Sequence, residues 1–432
     1  MSLEGSLSTQ FTFFNASPPN ISGCKFIGEV FLSYAHVERT SISFGNCTFA
    51  RKLEADGLVG AFLLNRCQLD SDLFIRGADA TAIILDDCEI AREIDVADTR
   101  CGAFKARYLR CPSTHQFGPI SANNVSLARA RFGARIRLEV SANSLDLTGV
   151  QLTEGGPVMA ERARIELAQL STARSLRISA SADSSQFPTV HGLQDADAGN
   201  MSFASVDMRR CFFYGAHDLG RVVVEPTVKF ASAPKWCTSR RCVADEFAWR
   251  RRVGGLRSLG WNLQNGDDNP ANREGSDEGL DGLPVLRALQ VAAIYRDLRR
   301  SFEAKSDQPG AADFYYGEME MRRYSKESGI AERVVIWIYW LLSGYGLRAF
   351  RAFTWLILLV CGCAAVMADG GFTSGSKSFT ESLIFSLKAA LPGVQGTDQL
   401  TIAGEVVNIC LTLLGPLLFA LGLLALRGRV KR

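Results

Sequence analysis

The chain has 432 residues, 47% hydrophobic and 22% charged, which is enough for two or three units. A net charge of +3 is too small to argue for nucleic acid, and its basic surplus lies beside the apolar C-terminal stretches while residues 1–220 are slightly acidic. "MSLEGSLSTQFTFFNASPPN" has neither a basic nor an apolar leader region, so the 12 cysteines are read as thiols acting as small hydrophobes, not as an exported disulfide framework.

A short figure recurs through the first 220 residues. "GCKF" ends at Phe26, "NCTF" at Phe49, "RCQL" at Leu69 and "DCEI" at Ile90, so Cys24, Cys47, Cys67 and Cys88 each stand two places before a large apolar residue. Inside this spacing of roughly twenty runs a period of five: Val59, Leu64, Leu69, Phe74; Leu85, Ile90; Phe203, Met208, Phe213. Five matches neither a helix nor a simple strand. It fits a square coil in which the large residue points to the axis and the residue two before it fills the corner. Successive turns then stack the cysteines at the ~4.8 Å spacing of neighbouring strands. Metal ligands must converge on one point, and a column does not. Cys24, Cys47, Cys67 and Cys88 are therefore expected to form a stack in the solenoid core, with no metal and no cofactor.

This pattern resembles the pentapeptide-repeat family, whose members form right-handed quadrilateral β-helices. The family's A-(D/N)-L-x-x form is present in degenerate versions, with Cys or Val in place of Ala. The phase breaks several times between residues 91 and 200. There "ARIRLEV", "ARIELAQL" and "SLRISA" keep a strand-like alternation that a looser parallel β-helix also explains. The expected fold class is mostly β: a right-handed, pentapeptide-repeat-like β-solenoid over residues 1–220, each coil burying its face against its neighbours.

Residues 221–283 read as a capping segment and linker. "DEFAWRRRVGGLRSLGWNLQN" is basic and aromatic; it either covers the open end of the solenoid or touches nucleic acid or anionic lipid, and a Gly/Asp/Asn-rich loop follows. Cys237 and Cys242 in "CTSRRC" lack the second ligand pair that a zinc site needs. Over residues 284–330 the period becomes helical. Val285, Leu289, Ala292, Tyr295, Leu298 and Phe302 form one stripe, Pro309-Gly310 breaks it, and "AADFYYGEMEMRR" begins a second helix. This α-helical hairpin is read as a rigid coupling towards a membrane.

Residues 331–351, with Trp337, Tyr339, Trp340 and Tyr345 among aliphatics, suit a helix lying in the interface. Residues 352–432 read as a transmembrane module: spans at 352–368 and 406–426, with a pore-like or re-entrant helix at 378–392. Arg348 and Arg351 precede the first span, and Arg427, Arg429, Lys431 and Arg432 follow the second. The positive-inside rule then places both termini in the cytoplasm. "SFTESLIFSLKAALPG" opens with Ser378 and Glu381 in capping-box register and carries Leu383, Ile384, Leu387 and Leu391 on one side.

From "YRDLRRSFEAKSDQPGAADFYYGEMEMRR" onward the chain resembles bacterial pentapeptide-repeat membrane proteins, whose tail looks like a two-transmembrane potassium-channel pore module. That resemblance implies a filter loop at Gly393-Val394-Gln395-Gly396-Thr397. The loop lacks a Tyr-Gly ending, so potassium selectivity does not follow. Pore candidates are Glu381, Gln395, Gly396, Asn408 and Gly415; the alternative makes the short helix an external amphipathic cap.

No P-loop, dinucleotide fingerprint, H-E-x-x-H or G-x-S-x-G motif points to an enzyme. Two readings stand: a non-enzymatic scaffold displayed on the bacterial inner membrane by two helices, or an oligomeric channel-like protein whose solenoid assembles or gates the pore. The expected partners are the lipid bilayer, a protein on the solenoid face and further copies of the chain; nucleic acid is not expected.

Overall fold

The computed structural model describes residues 2–3, 7–8, 20–32, 36–113, 115–182, 186–234, 240–254, 261, 285–373, 375, 377–391 and 399–430. Two compact units result, Met1–Phe314 and Tyr315–Arg432.

The first unit is a parallel β-solenoid of about nine turns over residues 20–224, followed by helices. Along one face Lys25, Thr48, Gln68, Glu89, Arg110, Arg131, Gln151 and Ser171 pair in register, coil upon coil. The coil that starts at Cys67 explains the period. Its inward residues come as pairs, Cys67/Leu69, Leu73/Ile75, Ala78/Ala80 and Ile83/Leu85, before Cys88/Ile90 begins the next coil. Each side thus turns residues i and i+2 to the axis. Three steps between pairs are of five residues, but the first, Cys67 to Leu73, is of six.

The six-residue side returns at the same place in later coils: Cys88 to Ile94, Leu109 to His115, Ala130 to Ile136, Leu170 to Leu176. Some coils compensate with a side of four, as from Leu58 to Phe62 and from Ile136 to Val140. Such unequal sides shift the phase of the sequence, while parallel pairing continues from coil to coil through local register shifts, as between Phe117 and Ile120 and between Ile165 and Glu166. At the corner before each first pair, Asn46, Arg66, Asp87, Tyr108, Arg129 and Gln169 adopt φ between 53° and 58°, and Gly149 takes the same place at φ 69°.

Helices close the C-terminal end of the coil. In α1 (Ala244–Val253) the buried Asp245 carboxylate accepts the backbone N–H groups of Phe213 (3.0 Å) and Tyr214 (3.2 Å). From α2 (Ala288–Ala304) the Ser301 hydroxyl donates to the Val222 carbonyl, and Phe302 packs with Phe230 and Phe314. α3 spans Gln308–Tyr324. Pro309-Gly310 therefore lies within the first turn of α3 and does not precede it. Proline is tolerated there because the first N–H groups of a helix have no intrahelical acceptor.

The second unit continues with α4 (Ile330–Ser343), α5 (Ala349–Gly370), α6 (Phe379–Ala390) and α7 (Ile402–Val430). α5 and α7 are long and apolar enough to cross a membrane; only 22% and 28% of their most apolar windows is buried. A bridge between Phe372 and Leu400 ties the end of α5 to the start of α7, with the Thr401 N–H on the Gly371 carbonyl at 3.0 Å. Val360, Met367, Phe372, Phe385, Ala389, Ala390 and Leu411 form the buried cluster among α5, α6 and α7.

On α6 the leucine side splits: Ile384 (55%), Leu387 (52%) and Leu391 (39%) are exposed, while Leu383 packs against the buried cluster. The buried face is Ser382, Phe385, Ser386, Ala389 and Ala390. Small residues let helix backbones approach closely, and lipid, unlike water, imposes no penalty on outward leucines.

Candidate functional site

The cysteine column comes first. Cys47, Cys67 and Cys88 are buried in successive corners, and Cys24 precedes them, half-buried. Each thiol donates to backbone carbonyls: Cys47 to Gly45 (3.4 Å) and Ile21 (3.5 Å), Cys67 to Phe44 (3.3 Å), Cys88 to Leu64 and Asp86 (both 3.4 Å). A hydrogen bond shared by Cys67 and Cys88 splits the pair: it lowers the Cys67 thiol to about 7 and, with burial, holds Cys88 far above its ordinary range, while burial pushes Cys111, on the same face, up to about 12. Among the described residues no group of three metal-ligating side chains occurs; Cys237 lies outside the described residues.

A buried charge cluster fills the end of the solenoid unit. Glu246 accepts both its Arg240 contacts at 2.7 Å, Arg250 Nε at 2.8 Å and the Tyr295 hydroxyl. Tyr295 in turn accepts the Val243 N–H (3.1 Å), and Arg250 lies 4.0 Å from the centre of the Trp261 ring. Burial alone would raise the Glu246 carboxyl, but Arg240 and Arg250 together hold it below the usual range. Asp245 has no such cation, and burial pushes it up to about 7 against the two amide bonds it accepts. Of the basic run 250–252, Arg250 is thus an interior group, while Arg251 and Arg252 are exposed.

In the second unit, the "FYYGEMEMRR" segment forms a joint. Arg323 sits against Trp337 (4.4 Å) and Trp340 (4.2 Å) and donates to Glu320. Glu320 also accepts the Tyr345 hydroxyl at 3.1 Å, and Trp340 Nε1 donates to the Tyr316 hydroxyl at 3.1 Å. Three residues one helical turn apart, Tyr316, Glu320 and Arg323, therefore grip α4 and the turn after it. The other side of α4 presents Val334, Val335, Ile338 and Leu341 outward.

The pore candidates do not assemble into one constellation. Glu381 is exposed in the first turn of α6. Asn408 is half-buried on the stripe of α7 that includes Gly404, Leu411, Gly415, Leu418 and Gly422. Gly415 is a contact point: a Cβ there would come 2.6 Å from the Ala390 carbonyl oxygen, and α7 runs unbroken through Pro416. Gln395 and Gly396 lie outside the described residues. Two groups not anticipated from sequence are the Ser382 and Ser386 hydroxyls, buried at successive turns of α6 without a hydrogen-bond partner among the described residues. On the solenoid, carboxylates of the acidic stretch 79–98 are partly neutralised, Asp86 by Arg107 and Asp95 by Arg76 (2.7 Å).

Comparison with known proteins finds no matching family model, no matching curated protein and no matching solved structure.

Proposed function

We propose that the chain is a membrane-anchored, non-enzymatic interaction protein: α5 and α7 span a bacterial inner membrane, α4 lies in its cytoplasmic interface, and the solenoid offers its faces to a protein partner in the cytoplasm. One observation carries the membrane reading. Many large side chains of α5 and α7 point outward, Ile357 at 62% exposure, Leu413 at 68% and Leu424 at 61%, while Ala352, Ala364, Gly415 and the α6 serines share the buried side with Val360, Met367 and Leu411. A core helix of a water-soluble protein has the reverse arrangement. Arginines before α5 and after α7 support an orientation with both termini in the cytoplasm. The outward aromatics and aliphatics of α4, bounded by Arg333 and Arg348, suit the headgroup layer. The likeness to pentapeptide-repeat membrane proteins is part of this proposal.

The test is fractionation of cells expressing the full chain. It should stay with membranes through alkaline carbonate, and protease added outside spheroplasts should spare the solenoid. Release into the wash, or digestion of the N-terminal half, overturns the proposal.

A second reading has a specific observation in its favour: α6 stands between two spans in chain order and buries two unpartnered hydroxyls against them. An oligomer would use such a polar strip to line or support an aqueous path. Planar-bilayer recording on a verified oligomer decides it, since silence at every voltage removes the channel.

A further inference from the structure

On one solenoid face lies a polar depression of about 550 Å³ lined by Asp87, Glu89, Tyr108, Arg110, Arg129, Arg131, Gly149, Gln151 and Gln169. Its origin is a missing side chain. In the corner column, Tyr108, Arg129 and Gln169 stand out in left-handed conformation, and Gly149 leaves a gap between the last two. Beside the gap, Arg110 and Arg131 are directly paired positions of the parallel ladder, hence one strand spacing apart, about 4.8 Å. Like charges so placed repel and destabilise the sheet.

Several other arginines of the solenoid are neutralised, among them Arg76 by Asp95, Arg107 by Asp86 and Arg164 by Glu166. Among the described residues Arg110 and Arg131 have neither an ion-pair nor a hydrogen-bond partner, although Glu89 is the registered neighbour of Arg110. Arg129 is held instead by an uncharged group, donating to the Tyr108 hydroxyl at 2.9 Å with its guanidinium 5.6 Å from the ring centre. Three guanidinium groups thus border one concavity, two of them without an ion-pair or hydrogen-bond partner among the described residues, with Asp87 and Glu89 on one side and carboxamides on the other.

We propose that this depression binds a small molecule through a doubly charged phosphate or diphosphate group. Arg110 and Arg131 donate to its oxygens from adjacent rungs, and Arg129, Gln151 and Gln169 close around it. Planar guanidinium forks match phosphate oxygens, and a dianion relieves the repulsion stacked into the ladder. The site rests on the solenoid being the recognition element of the chain, and it is independent of the membrane.

The test is calorimetric titration of the full chain in neutral detergent with inorganic pyrophosphate, inorganic phosphate and succinate at low salt. Pyrophosphate is expected to bind below about 1 mM and to weaken as salt screens the arginines. Arg110→Gln with Arg131→Gln should weaken it at least about tenfold. Gly149→Gln should do likewise by filling the gap; neighbours in its column already carry side chains at similar φ, and the Cβ would meet only the Arg129 Cγ at 3.1 Å. Arg164→Gln, at a paired arginine away from the depression, should leave pyrophosphate binding unchanged, and the double variant should melt no lower than the parent, since it removes a like-charge pair from the ladder. No binding of pyrophosphate, unchanged binding in the double variant, or succinate binding as tightly as pyrophosphate overturns the proposal. A chain that resists carbonate yet ignores pyrophosphate loses this site alone; one that binds pyrophosphate but washes off membranes loses the anchoring alone.

Discussion

In the solenoid, Phe49, Phe62, Phe104 and Phe117 are fully buried, and ion pairs such as Arg76–Asp95 lie outside. In the C-terminal helices, Ser382, Ser386, Ala364 and Gly415 occupy the centre, and Ile357, Leu413 and Leu424 face outward. The solenoid arrangement is the one water selects, and that of the helices is the one the proposed lipid environment selects. Water drives large apolar groups onto the solenoid axis, where area removed from solvent stabilises. Lipid gives no such drive between helices, so close backbone approach and dispersion decide the packing. The same volume change should therefore have opposite consequences in the two regions.

The largest effect is expected in the coil. Phe49→Ala leaves a hole against Phe26, whose ring stacks on it at 4.8 Å, and should cost about 3–5 kcal/mol. Hydrogen exchange of the full chain reads it as lost protection over neighbouring rungs, with α5 and α7 unaffected. Glu246→Gln tests the capped end: Arg240 and Arg250 remain buried without their carboxylate, which should cost about 3–5 kcal/mol and lower the melting temperature of the solenoid unit. A neutral result would place those guanidinium groups in water and remove the cluster as a structural element.

Asp245 supplies a pH dependence with a definite sign. Its folded value, about 7, lies above the ordinary 3.8, so on raising pH the unfolded chain loses this proton first. The contribution is full below about pH 4 and is lost as pH climbs through about 7, up to about 4 kcal/mol in all. Asp245→Asn keeps an acceptor for the Phe213 or Tyr214 N–H and should flatten stability across that window. Chemical denaturation at pH 5 and pH 8 compares the two; an equal slope in both chains refutes the assignment.

The solenoid was legible because its inward pairs are local. Cys67 and Leu69, two apart, report their direction without knowledge of any other coil. The six-residue side was not legible, since the extra residue faces outward and any polar residue serves. The leucine stripe of α6 was legible from its spacing, but spacing does not say which side packs; the small residues do, the inverse of the solenoid. The cluster around Glu246 draws on residues 240, 246, 250, 261 and 295, and no spacing rule spans such a gap. The joint at Arg323 did leave a signal, because Tyr316, Glu320 and Arg323 recur at the interval of one helical face.

Gly415→Val against Leu413→Ala measures that inversion. The valine would drive into the Ala390 backbone and should cost about 1–3 kcal/mol in thermal unfolding in nanodiscs. The alanine removes an outward leucine and should stay within about 0.5 kcal/mol. Equal costs would mean that Leu413 is packed against protein, through a second copy of the chain.

The smallest effect is the one that separates geometry from chemistry in the cysteine column. Cys67→Ala deletes a compact thiol that contacts the carbonyls of Phe44 and Asn65 (3.5 Å) and the Cys88 thiol. Both carbonyls belong to ladder or corner peptides, so the loss is mainly of packing volume, about 1 kcal/mol. If the column is a spacer, the same small loss appears with and without reductant or chelator, and Cys47→Ala adds to it with at most weak coupling across the one rung between them. Were the thiols a ligand set, the first substitution would already abolish metal-dependent stability and the second would add nothing. Thermal melts of the two single variants and the double variant, with and without chelator, therefore read the column directly, and additivity is the outcome that a stack of corners requires.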